Sequence, residues 1–106
     1  MKSKKIYICW FHYVNYAYWI SKEDFEKLTN ITLSKNCSWV TIRNKWQAAW
    51  IYLIDTTPET IAHEAFHAVC HTANNVGIKL SSDSEEWFAH SIDKIVYEIL
   101  KITLNQ

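Results

Sequence analysis

The chain contains one proline and one glycine, and they bracket a single segment, "PETIAHEAFHAVCHTANNVG" at 58–77. Nothing between them breaks a helix. Thr56 or Thr57 can cap its start, Pro58 suits the first helical position, and Glu59 favours the positive end of the dipole. The pattern predicts a helix running to about Asn75, with Gly77 just past its end as the residue that reverses the chain. Ala62, Phe66, Val69 and Ala73 form an apolar stripe, so the helix is expected to be amphipathic and to bury that face.

Beside that stripe, "TIAHEAFHAVCH" at 60–71 holds three of the chain's five histidines. His63, Glu64 and His67 read H-E-x-x-H. Residues four apart stack on one helical face, so both imidazoles can reach one metal ion. Glu64 lies about 100° round the helix from His63. It can therefore miss the metal yet approach a water bound to it, which is the placement of a general base. The bland alternative is a core helix whose two histidines flank a surface glutamate.

A catalytic zinc needs a third protein ligand and an open position. Glu85 and Glu86, at the start of the next predicted helix, are the candidates. Glu86 shares a polar stripe with His90, Asp93 and Tyr97, which favours it over Glu85, although either can simply compensate the helix dipole. His90 is a candidate to stabilise an oxyanion or to donate a hydrogen bond to substrate, and Asp93 to orient an imidazole. Cys70 or His71 would instead close a structural zinc site with His63 and His67, with no open position. His12 stands alone and reads as an ordinary strand or turn histidine.

The rest of the chain suggests an α+β layer architecture, with strands first and helices last. Lys4–Phe11 reads as a strand, and residues 12–20 continue it or pair back on it. "SKEDFEKLTN" at 21–30 reads as a short serine-capped helix, followed by a polar, turn-like Asn30–Asn36. Residues 37–44 and 49–55 are expected to form an antiparallel hairpin around Lys45–Trp46. "SSDSE" at 81–85 can cap a final helix running to about Ile102, which buries Phe88, Ile92, Ile95, Ile99 and Thr103. The expected fold is one domain over 1–106, a small antiparallel sheet of about three strands against the H-E-x-x-H helix and a C-terminal helix.

Eleven basic and eleven acidic residues cancel, so nothing suggests nucleic acid or a polybasic membrane contact. The uncharged run Ile6–Ile20 is too short to span a bilayer and carries His12, Asn15 and four tyrosines. It also lacks the small-residue cleavage site of a signal peptide. Cys9, Cys37 and Cys70 are odd in number and widely spaced, which fits reduced thiols and a cytoplasmic protein.

Residues 60–92 resemble the small zinc metallopeptidase-like proteins encoded in bacteriophage and prophage genomes. The shared features are H-E-x-x-H-A on a helix, Gly77–Ile78 near the reversal, and Ser82-Asp83-x-Glu85-Glu86 leading into an E-x-x-A-Y pattern. The resemblance extends weakly upstream, through an aromatic strand, the "DFEKLT" helix and a strand ending at Asp55. It implies a minimal zincin-like fold, with zinc on His63, His67 and Glu86 and with Glu64 activating a zinc-bound water. The glutamate three residues before the alanine is the ligand position, which again selects Glu86. Where the pattern has tyrosine this chain has His90, so the transition-state donor differs. The expected function is that of a zinc-dependent hydrolase, a metallopeptidase acting on a peptide or protein in the host cytoplasm. The edge for an extended substrate is sought on "AWIYLID" at 49–55, and 106 residues leave little room for cleft walls, which suggests a shallow site, a narrow substrate or a partner protein that completes the pocket. The alternative is a non-enzymatic phage assembly or host-interaction module that retains the fold and a structural zinc.

Overall fold

The computed structural model describes residues 2–9, 12–18, 20–30, 32–33, 39–42, 48–53 and 56–104. Two strands come first, β1 (Lys2–Cys9) and β2 (His12–Tyr18), followed by helix α1 (Lys22–Thr29). Strands β3 (Trp39–Ile42) and β4 (Trp50–Leu53) lead into the two long helices, α2 (Pro58–Val76) and α3 (Glu85–Leu104). The class is α+β. The expected turn at Lys45–Trp46, most of the turn-like Asn30–Asn36 and Cys37 lie outside the described residues.

Among the described residues the sheet has four strands, ordered β1-β2-β4-β3, and it is mixed where an antiparallel sheet of about three strands is expected. β1 and β2 form an antiparallel hairpin, and β3 and β4 are antiparallel as read from the sequence. β2 and β4, however, run parallel, with Asn15, Tyr16 and Ala17 opposite Trp50, Ile51 and Tyr52. Parallel neighbours require a crossover connection, and the chain makes it through α1 and β3. β4 therefore sits inside the sheet, and the edge sought on "AWIYLID" belongs to β3 instead. Its unbroken apolar run is that of a strand buried on both faces.

Alternation along the strands divides the core. Tyr16, Ile51 and Leu53 face one side with Ile6 and Val14, under α2 and α3. Ala17 and Tyr52 face the other, where Phe25 of α1 stacks on Tyr52 with ring centroids 4.5 Å apart and planes at 12°. The Tyr52 hydroxyl donates to the Ile20 carbonyl at 3.2 Å. Burial raises the Tyr16 hydroxyl above the ordinary tyrosine range, partly offset by a hydrogen bond with Thr103 near the end of α3.

Both ends of α2 follow local rules. The Thr57 side chain accepts from the Thr60 N–H, Pro58 opens the first turn, and Gly77 stops the helix at φ 79°. The Ile78 N–H reaches the Ala73 carbonyl at 2.8 Å and the Gly77 N–H the Asn74 carbonyl at 3.4 Å, the paired bonds of a Schellman motif.

The buried face of α2 is not the expected one. Val69 and Ala73 are buried, but Ala62 and Phe66 are exposed, Phe66 by 42%. The face against the sheet is Ile61, Ala65, Ala68 and Thr72. Alanines at 65 and 68 let the helix axis come close to the strands, which a phenylalanine in that row would prevent. On α3, Phe88, Ile95 and Ile99 are buried as expected, Ser91 joins them, and Ile92 and Thr103 are half-buried. No helix among the described residues is long and apolar enough to cross a membrane.

Gly77→Ala tests the α2 terminus. No atom lies within 4 Å of the position its Cβ would take, so the cost is conformational. Urea unfolding is expected to show a loss of about 1 kcal/mol. An unchanged midpoint would mean that the left-handed residue does not hold the α2–α3 reversal.

Candidate metal centre

Seating α2 on Ile61, Ala65 and Ala68 turns Glu64 inward and leaves His63 and His67 towards solvent. The Glu64 side chain is 4% exposed and that of His63 59%. His67 is half-buried between them in exposure. The ligand-capable atoms of His63, Glu64 and His67 all lie within 4.8 Å of one another, and such a group could hold a metal ion.

The two imidazoles meet edge to face, with centroids 4.8 Å apart and planes at 75°. Their Nε2 atoms are 3.2 Å apart. Zinc–nitrogen bonds of about 2.0–2.1 Å at a tetrahedral angle hold two nitrogens about 3.3–3.4 Å apart. The pair therefore stands within a few tenths of an ångström of the spacing that one ion imposes. Without metal, one ring can donate its Nε2–H to the other.

Glu64 is anchored from the sheet. Thr41, in β3, donates its hydroxyl to Glu64 Oε1 at 2.7 Å and lies 3.2 Å from the Glu64 carbonyl oxygen. Thr41 pairs across the sheet with Ile51, whose side chain is in the core under α2, and directly opposite residues share a face. That register aims Thr41 at α2. A buried carboxylate needs such a donor, and a hydrogen bond to a charged group contributes about 1.5–3 kcal/mol. The second oxygen, Oε2, lies 3.6 Å from His63 Nε2.

The remaining expected residues are not brought into this group. Glu86 and His90 sit on the first turns of α3, with side chains 87% and 79% exposed, and pair with each other at 3.2 Å. Glu85, Asp93 and Tyr97 are exposed. The start of α3 lies beside the second half of α2, where Phe88 shares a pocket of about 270 Å³ with Cys70, Ala73 and Asn74. His71 contacts the Asn75 side chain at 3.3 Å and, like Cys70, is outside the group. His12 is exposed at the start of β2.

Thr41 is the residue that sequence reading missed. Its one signal is a hydroxyl in the middle of the otherwise apolar "WVTI" strand, and alternation alone does not say what that hydroxyl meets. Comparison of the chain with protein-family models, curated proteins and solved structures found no match.

Calorimetric titration with zinc is expected to give one equivalent for the wild type. His63→Ala and His67→Ala should each weaken binding by about a hundredfold or more, since each removes one of few ligands. Retained affinity in either variant would place the ion elsewhere.

Proposed function

We propose that the protein is a zinc-dependent hydrolase, and that its substrate is a peptide bond. The observation that carries this reading is the 3.2 Å spacing of the two Nε2 atoms, with a buried, hydrogen-bonded carboxylate beside them. Nε2 of His63 and Nε2 of His67 would hold the ion. Zinc bound there supplies a Lewis acid that polarises a scissile carbonyl and lowers the pKa of water towards about 7. Glu64 Oε2 then accepts the proton of the attacking water and returns it to the departing amine. Burial of Glu64 beside an exposed His63 and a half-buried His67 supports this division of labour, because the base is fixed while the ligands can still be reached.

Glu86 is the proposed third ligand, carried by the sequence pattern. Its carboxylate is exposed and paired with His90 in an i,i+4 contact of a kind worth only about 0.3–0.5 kcal/mol. His90 has no step in this scheme. Among the described residues β3 pairs with β4 alone, and its other edge offers backbone groups to an extended peptide. The opposite edge, β1, carries exposed Lys2, Lys4 and Lys5, which discourage strand addition there.

A binding module with a structural zinc is the second reading. It draws on Phe66, an exposed ring whose centroid lies 6.4 Å from that of His67. Digestion of a mixed peptide pool, followed by mass spectrometry, separates the two. The zinc-loaded wild type is expected to cleave and Glu64→Gln to lose at least about a hundredfold of the rate. No cleavage by the wild type favours the binding module, and cleavage undiminished in Glu64→Gln removes Glu64 as the base. Glu86→Ala is expected to weaken zinc binding about tenfold or more, and unchanged affinity removes Glu86 from the ligand set.

A further inference from the structure

We propose that Thr41 is a positioning residue for Glu64, and that its hydroxyl fixes the orientation of the carboxylate so that the oxygen it does not hold faces the histidine pair. The inference rests on the hydrolase reading above, in which Glu64 is the base. A hydroxyl has one proton, and two acceptors compete for that of Thr41: Glu64 Oε1 at 2.7 Å and the Glu64 carbonyl at 3.2 Å. The shorter contact, to a carboxylate, is the stronger one. Oε1 is thereby occupied. Oε2 lies 3.6 Å from His63 Nε2, too long for a hydrogen bond, so among the described residues it takes none from that imidazole and is turned towards the histidine pair.

Rotation about the last side-chain torsion of a glutamate is soft and roughly two-fold, so the buried carboxylate has little orientation of its own. The sheet provides it. Thr41 is held in register opposite Ile51, which is wholly buried, so its hydroxyl is fixed relative to the core and not to α2. Glu64 is thus gripped from an element 23 residues away in sequence, while the histidines are placed by the helix alone.

Thr41 could instead be only a tie between β3 and α2. Thr41→Val keeps the shape and strand preference but removes the donor, and Thr41→Ser keeps the donor. The probe is acetohydroxamate added to zinc-loaded protein, a small chelating acid whose proton a neighbouring carboxylate accepts. Thr41→Val is expected to hold zinc within about threefold of the wild type but to bind acetohydroxamate about 10–100-fold more weakly. Thr41→Ser should restore binding. Glu64→Gln should lose as much as Thr41→Val, and the double variant no more than either. If Thr41→Val does not fold, Thr41→Ala, which only removes atoms, carries the same comparison. Wild-type acetohydroxamate affinity in the donor-less variant would overturn the role of Thr41 and leave the metal site standing. Zinc uptake without acetohydroxamate binding in the wild type would count against both this inference and an open metal position. A wild type that takes up no zinc would overturn the metal reading and this inference together.

Discussion

The contact of Ile61, Ala65 and Ala68 with the sheet decides what chemistry α2 can offer. Those three side chains are fully buried, and the two alanines bring the helix close to β3 and β4. Once the helix is seated that way, its 3.6-residue period leaves no freedom to the neighbours. Glu64 points into the core boundary, and His63 and His67 stand one above the other outside it. A rotation by one residue would bury a histidine and expose the carboxylate.

That placement divides the site between two kinds of support. The histidine pair depends on helix geometry, which the caps at Thr57 and Gly77 protect at both ends. The carboxylate depends on long-range packing, because its partner Thr41 comes from the edge strand of the sheet. Burying an ionised carboxylate is costly unless a donor meets it, so the β3–α2 contact and the presence of Glu64 require each other. Glu86 contrasts with it. It is exposed, and among the described residues its contact is with His90, one turn along the same helix.

What could be read from the sequence was what local rules determine. Pro58 and Gly77 marked the ends of α2, Ser21 capped α1, and the apolar period located Phe88, Ile95 and Ile99 on α3. The H-E-x-x-H spacing brought His63 and His67 together because four residues make about one helical turn. The failures all involve choices made between distant elements. The apolar stripe through Ala62 and Phe66 suggested that face for the core, but close approach to the sheet selected Ala65 and Ala68. The parallel pairing of β2 with β4 depends on a crossover that no single segment encodes, and it moved the open edge from β4 to β3. Thr41 was invisible for the same reason: its role exists only once β3 lies against α2.

The most direct measurement is a crystal structure of the zinc-loaded protein, with the ion located by its anomalous scattering. The expected result is one zinc about 2.0–2.1 Å from Nε2 of both His63 and His67, with Glu64 still hydrogen-bonded to Thr41 and one coordination position left to solvent. Zinc bound at Cys70 or His71, or closed in by four protein ligands, would contradict it.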